Sequence, residues 1–443
     1  MSMLSNGLSG LTASQIALNV VSNNIANSNV AGYTRQQTVN SALISNSNNS
    51  LSSGSGVEVS AINRITDDYL NNNLWRSNSS YGFNQAYSDY LGVAEQLLAN
   101  ENLSLSVGMD DLFNAFNSAS TEPSSIAPRQ LIISSAEALT QKFNSLAANL
   151  DIQRVQIEEQ ADGMLEMANS LFAEVATLNQ EIVDGTAQGA NISALLDQRD
   201  ETVNSLSKLM DVEVARMDNG SYTLSMTGGQ PLVLGSSAAS LTRVGNDYQV
   251  NLAGQPFSFS GDIGGQLGGI LSYETNILDT TEASLNQLAQ DLADDVNNQL
   301  ALGQDINTIA GAGAPLFDYN PLDPAGSLSI SAGFEPEDLA LGAIGAGPGD
   351  NSNLSQIIAL KDGHYDSYNS LVGTLAIQSG QAGAEAQASK SIADDALAQR
   401  DSVSAVNLDE EAMSLIQYQQ SYQANAKVVS ASQQLFNTLL SMF

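Results

Sequence analysis

The sequence predicts a mainly α-helical protein with a small inserted β-domain, its terminal helices paired as an α-helical coiled coil around a helical-bundle middle domain. Three patterns predict this. Apolar residues recur at heptad spacing at both ends, a three-four rhythm fills most of the interior, and one short stretch switches to strict alternation. With 443 residues there is enough chain for two or three cores. The patterns divide it into residues 1–45 with 400–443, residues 46–210 with 266–399, and residues 211–265.

The C-terminal stretch, residues 407–443, reads as one unbroken helix. Asn407 is a suitable N-cap, Asp409, Glu410 and Glu411 suit the positive end of the helix dipole, and no Gly or Pro interrupts the remaining residues. Leu408, Leu415, Tyr422, Val429, Phe436 and Phe443 form one heptad column, with Leu440 one turn beyond Phe436, and such a column packs lengthwise on a partner. Residues 1–26 offer that partner through Leu4, Leu11, Leu18 and Ile25, with Leu8 and Val21 beside them. The neighbouring columns are polar, through Ser14, Gln15 and Ser22 in front and Gln419, Asn425, Ser432 and Gln433 behind, so a two-helix coil is marginal alone. The termini are therefore expected to gain order from neighbouring subunits.

Composition narrows the function. Forty-eight acidic residues against fourteen basic ones leave a formal charge of −34, which disfavours nucleic acid and anionic membrane surfaces as partners. The absence of Cys excludes disulfide and thiolate chemistry, and one His and one Trp leave little for a histidine-based active site. No apolar run reaches membrane-spanning length, and the N-terminus lacks the pattern of a cleavable signal, so export would use another route. Charge is also unevenly placed: residues 1–57 hold only Arg35, and residues 428–443 hold none. Helices that are polar but uncharged suit burial among other helices; the plainer alternative is a disordered Asn/Ser-rich tail.

After the first helix comes NNIANSNVAGYTRQ, residues 23–36, in which Gly32 can end the helix in a left-handed conformation before an extended segment. Residues 44–60 read as a loop with a short strand near 57–62. A helix then runs through Tyr69, Leu74 and Trp75 towards Leu98, with Trp75 as a packing residue. From Gly108 the pattern is a short helix, a proline-marked turn at 123–128, and a long helix through Leu139, Phe143, Leu146, Leu150, Met164, Ala168, Leu171, Val175, Leu178 and Ile182. LLDQRD opens the helix at 195–210, where Asp197, Arg199 and Asp200 read as surface ion pairs with neighbours or with each other rather than as a catalytic set.

From Asp211 the period becomes two in VEVAR, SYTLSM, QPLVLG, DYQVNL and PFSFSG, between turn signals at Asn219-Gly220, Gly228-Gly229 and Gly245-Asn246-Asp247. GDIGGQLGG, residues 261–269, lacks the spacing of a nucleotide loop and reads as the hinge back into helix. A helix at 271–302 comes next, then an irregular stretch at 310–350 with one strand near 327–331. Its DYNPLD segment has the wrong spacing for a calcium loop. His364 is placed just before the next helix, near Asp362 and Asp366, as a surface hydrogen-bonding residue. Helix resumes over 365–400.

The motifs resemble a known family. Asn23, Asn24, Ile25, Ala26, Asn27, Gly32 and Tyr33 match the opening signature of the flagellar axial proteins, and Thr34, Arg35 and Gln36 are similar to its hook-associated version. The Gly108 to Phe143 segment, LLDQRD, and NLDEEAMSLIQYQQSYQANAKVVSASQQLFNTLL resemble hook-associated proteins of the first type, the FlgK family. That resemblance implies a non-enzymatic, cofactor-free subunit of the flagellum, located outside the cell in a ring at the hook-filament junction. It implies type III export without a cleaved signal. The implied partners are further copies of the chain, the hook protein, the second junction protein and a cytoplasmic export chaperone. Leu4, Leu8, Leu11, Leu18 and Ile25 would then be subunit-interface residues, Asn23, Asn24, Asn27, Gly32 and Tyr33 the axial signature, and Leu408, Leu415, Tyr422, Val429, Phe436 and Leu440 an interface or chaperone surface. The middle is shorter than in longer relatives. Other readings are a different axial protein (second junction, hook or rod) or a type III secreted helical effector or adhesin.

Overall fold

A computed structural model describes residues 2–43, 54–244, 247–258, 263–307, 313–347 and 349–442. Phe443, the loop at 44–53, the Gly245-Asn246 turn, Gly261 and parts of the irregular stretch at 310–350 lie outside the described residues. Helix dominates, as the periodicity predicts. The first segment is α1 (Ser2–Ala26), followed by the antiparallel pair β1 (Gln36–Ala42) and β2 (Val57–Arg64), then α2 (Asp68–Leu98), α3 (Leu105–Ala119), the 62-residue α4 (Ile126–Ala187) and α5 (Ser193–Leu209).

The alternating stretch forms β3 (Glu213–Arg216), β4 (Tyr222–Ser225), β5 (Pro231–Leu234), β6 (Ser237–Ala238), β7 (Ser240–Val244), β8 (Asp247–Leu252) and β9 (Gln255–Ser258). These make a four-stranded sheet in the order β3-β4-β5-β6 and a three-stranded sheet β7-β8-β9, antiparallel throughout. Chain entry and exit lie side by side, because Asp211 N donates to Ile263 O at 2.8 Å. Gly265 closes this neck at φ +58°, where a Cβ would lie 2.4 Å from the Leu209 and Met210 backbone, so a hinge glycine is sterically required. The expected helix at 271–302 is α6 (Gly265–Tyr273), a π-helical turn at Glu274–Leu278 and α7 (Asp279–Ala301). Four two-residue strands come after it, β10 (Gly303–Gln304), β11 (Phe317–Asp318), β12 (Ser329–Ile330) and β13 (Gly342–Ala343), with the short α8 (Pro324–Ser327) between β11 and β12. The chain ends in α9 (Ser352–Ala359), α10 (Lys361–Ser404) and α11 (Leu408–Ser441).

Two compact units result. One comprises Met1–Tyr81, Leu165–Gly265 and Ser389–Phe443, the other Gly82–Met164 and Gln266–Ala388. Residues 211–258 share their unit with the terminal helices, whereas the sequence-based division sets the two apart. Asparagines of α4 hold the strands in that unit. Asn169 brackets Leu241 with one bond to its N–H and one to its carbonyl, and Asn179 does the same for Tyr222 while also donating to Gly235 O. Trp75 packs edge-on against Tyr222, with ring centroids 6.4 Å apart.

The second unit has a continuous apolar core, through Leu112, Phe116, Leu139, Phe143, Leu146, Leu292, Val296 and Leu354 among others. Arg129 is buried beside it and satisfied by the carbonyls of Pro123, Pro336 and Leu339. His364 departs from its expected place. It lies within α10, 5 % exposed, with Nε2 3.3 Å from an Asp295 carboxylate oxygen; burial holds its pKa below the ordinary 6.5 despite Asp295 and Asp291. A partner 69 positions away takes the place of Asp362 and Asp366, because helix α10 turns the imidazole towards α7. Asp323 accepts from Gly326 N as the cap of α8, which accounts for DYNPLD without an ion.

Candidate functional site

Asn407 caps α11 as expected, its side chain accepting from Asp409 N and Glu410 N, and the helix continues to Ser441. It pairs with α1 in antiparallel sense, since Gly7 faces Val428 and Val429, Gly10 faces Asn425, and Asn24 is hydrogen-bonded to Glu411. Apart from Val429, which Gly7 faces, the residues that meet are not those the heptad columns predict. In α1 the buried column is Gly7, Gly10, Ser14, Ala17, Val21 and Asn24; facing it in α11 are Glu411, Ser414, Tyr418, Ser421, Asn425, Val428 and Ser432. Both columns keep heptad spacing, but with small and polar side chains.

Close approach explains the choice. A Cβ on Gly7 would lie 2.8 Å from Val429 Cγ2, and one on Gly10 2.7 Å from the Asn425 amide, so a leucine column would hold the backbones apart. The predicted columns turn aside. Leu4, Leu11, Leu18 and Leu415 are half-buried, Val429 is half-buried against Gly7, and Leu8 (49 %), Ile25 (37 %), Leu408 (54 %), Tyr422 (39 %), Phe436 (62 %) and Leu440 (60 %) are exposed. Among the described residues, these six large apolar side chains are left exposed on the two helices.

The signature after α1 is a lock rather than a loose helix stop. Asn24, 1 % exposed, donates through Nδ2 to Gln36 O at 2.9 Å and to Glu411 Oε2 at 3.1 Å; its Oδ1 accepts from Tyr33 OH at 2.9 Å and Gln36 N at 3.0 Å. One amide thus ties together α1, the turn, β1 and α11. Gly32 makes the turn at φ +76°, and a Cβ there would also press to 3.0 Å from a Glu201 carboxylate oxygen. Asn27 is half-buried and donates to Asn23 O at 2.9 Å, finishing the last turn of α1, and the Asn23 side chain is exposed. Burial, with the charges of Asp197 and Glu411, pushes the Tyr33 phenol up to about 12, which keeps it a hydrogen-bond donor.

Arg35 completes the lock. Its Nε donates to Glu411 Oε1 at 2.7 Å, its Nη1 to Glu410 Oε2 at 2.6 Å, and its backbone N to Ser404 O at 2.8 Å. Next to it, Thr34 donates from N and Oγ1 to Asp197 of α5, and Arg64 of β2 bridges Asp197 at 3.0 Å and Asp200 at 2.7 Å. Of the LLDQRD ions, Asp197 and Arg199 are buried and Asp200 is half-buried, in contrast to the surface pairing expected. Burial pushes the Asp197 carboxyl up against the opposing pull of Thr34 and Arg64. Arg64, although burial opposes its charge, is held above its usual value by Asp200 and Asp197. Arg199, 1 % exposed, stacks 3.4 Å over the Tyr222 ring and donates to Gly220 O at 2.7 Å; desolvation lowers its pKa. Residue type and local spacing did not reveal Arg64 or Glu411 as members of this network.

The acids of the network face Arg35 or Arg64, with Asp197 and Glu411 also hydrogen-bonded to Thr34 and Asn24, an arrangement that suits holding segments together. Among the described residues no three His, Cys, Asp or Glu side chains gather to hold a metal ion, and no helix is long and apolar enough to cross a membrane.

Comparison with known proteins places this architecture. The model for the flagellar hook-associated protein FlgK helical domain matches residues 91–317, just over half of the chain. Models for the flagella basal body rod protein and for the C-terminal part of the basal body rod FlgEFG proteins match residues 4–34 and 398–442. Flagellar hook-associated protein 1 of Salmonella typhimurium is 33 % identical over 353 residues, covering 75 % of this chain and 63 % of that protein, and its namesake in Bacillus subtilis is 24 % identical over 490 residues, 97 % and 96 % of the two chains. The alignment thus reaches less than two thirds of the Salmonella relative's length. The structure of the flagellar hook junction protein FlgK from Burkholderia pseudomallei is similar with a TM-score of 0.52 at 25 % identity, over 56 % of this chain and 47 % of that one. The chain belongs to the FlgK family of flagellar hook-associated proteins.

Proposed function

We propose that this chain is a structural subunit of the bacterial flagellum that forms the ring joining hook to filament, assembling through its terminal helices. One observation carries the assembly step. The α1–α11 seam uses Gly, Ser, Ala and Asn, leaving Leu8 and Ile25 on one helix and Leu408, Tyr422, Phe436 and Leu440 on the other for contacts between subunits. Residues 1–57 hold one charged side chain and residues 428–443 none, which supports the same reading, since a desolvated interface disfavours unpaired ions.

Further copies of the chain, the hook protein and the second junction protein are the partners this role requires. The exposed apolar end of α11, Leu435 to Leu440, fits a cytoplasmic chaperone before type III export, and the final location is the extracellular hook-filament junction. The role is architectural, with no cofactor. It is tested in cells lacking the chain: hooks should form, filaments should be absent and flagellin should appear in the medium. The full chain should restore filaments, and one trimmed of residues 1–33 and 407–443 should not. Restoration by the trimmed chain would overturn the proposal, as would filaments growing in cells without the chain.

A further inference from the structure

We infer that the buried Asn24–Glu411 pair, braced by Arg35, sets the register in which α1 and α11 meet. The inference builds on the terminal pairing proposed for assembly and adds what selects one alignment of the two helices. Packing discriminates poorly along this seam. The buried column of α1 holds nothing larger than Val before Asn24, and α11 opposes it with heptad-spaced Ser, Asn, Val and Tyr. A slip of one heptad moves Gly10 from Asn425 to Tyr418 or to Ser432, and a glycine accommodates either.

The polar pair does discriminate. Glu411 and Asn24 are each 1 % exposed, and Glu411 receives Asn24 Nδ2 at 3.1 Å and Arg35 Nε at 2.7 Å. A one-heptad slip that sets Glu411 against Ala17 strips this buried carboxylate of both donors, while Asn24 Nδ2 keeps only Gln36 O as acceptor, and the cost of the orphaned charge is how a single buried polar residue specifies register in helical pairs. Arg35 is the one charge in residues 1–57, and it is committed to this contact. The backbone bond from Arg35 N to Ser404 O is the competing anchor, and the experiment separates the two.

The chain has no cysteine, so the introduced pairs are its only thiols; all three variants carry the same Gly10→Cys, whose added Cβ meets the movable amide end of Asn425 rather than backbone. In the purified protein under mild oxidation, Gly10→Cys with Asn425→Cys should cross-link roughly tenfold more than Gly10→Cys with Tyr418→Cys or with Ser432→Cys, the preference expected of one buried polar contact. Adding Asn24→Val together with Glu411→Leu should bring the three yields within about twofold at unchanged helix content. Glu411→Gln, whose single amide oxygen can accept from Asn24 or from Arg35 but not from both, should keep the same pair favoured with a smaller margin. Should the apolar variant not fold, a transplant decides: Asn24→Ala with Ala17→Asn should shift the favoured cross-link to the Gly10–Tyr418 pair. A preference that survives both changes would show that the loops, not the polar pair, set the alignment, and equal yields in the starting protein would also overturn the inference. Because the readout uses purified chain, it is independent of whether filaments grow in cells.

Discussion

Replacing Gly7 by Leu tests the small-residue seam most directly. Two effects of opposite sign compete. Leucine favours helix over glycine by about 1 kcal/mol, which taken alone would strengthen α1. Against this, the first added carbon falls 2.8 Å from Val429 Cγ2 and 3.3 Å from Val428 Cγ1, both on stiff β-branched side chains, and three more carbons extend beyond it. Overpacking costs about 1–3 kcal/mol, and four carbons added against two stiff side chains place this one in the upper part of that range, about 2–3 kcal/mol. The net loss of about 1–2 kcal/mol should lower amide protection across α11 by roughly five- to thirtyfold, measured by millisecond-quench hydrogen exchange on the purified chain. Gly163 in α4 serves as the internal control: nothing lies within 4 Å of its added Cβ, so Gly163→Ala should stabilise by about 0.5–1 kcal/mol. Unchanged or increased protection of α11 in the Gly7→Leu protein would refute the seam, because it would mean that the helices do not meet through these residues.

In the unassembled chain, α1 and α11 should exchange far faster than the buried stretch of α4 around Phe143 and Leu146, because Leu8, Ile25, Leu408, Tyr422, Phe436 and Leu440 are exposed; full protection of both termini would contradict this. Arg199→Ala should destabilise the chain by about 3 kcal/mol in urea unfolding, removing the stack on Tyr222 and leaving Gly220 O short of a donor. Arg199→Lys should recover little of it, since an ammonium lacks the planar face. His364, the one histidine, should titrate below 6.5 by proton NMR. Its folded-state pKa is depressed, so as pH falls below about 6.5 the unfolded chain takes a proton that the fold resists; unfolding midpoints should drop in that window, and His364→Asn should remove this component.

Much of the fold was legible locally. The run from Leu139 to Ile182 shows its helical period over many turns, and α4 has it; the alternation from Val212 to Phe257 is visible, and so are its sheets. Strand β1 was readable only as extended chain, because QQTVNSA has no apolar alternation and owes its pairing to β2. The two-residue strand β6 and its successor β7 were hidden by short, small-residue turns. For the candidate site, the signature could be recognised by type, but the bonds of Asn24 could not: its Glu411 partner lies 387 positions away. His364, Asp197 and Arg199 were misplaced for the same reason, since burial depends on elements remote in sequence.

The amino-acid order alone determined which stretches are helical, where the period changes to two, and that the ends carry heptads almost free of charge. These properties arise from backbone geometry and side-chain spacing over a few residues. Only the tertiary structure decided which heptad column faces inward. That choice turns on how closely two backbones can approach and on whether each buried polar group finds a partner, and it placed Gly7, Gly10 and Asn24 inside while sending Leu8 and Phe436 outward.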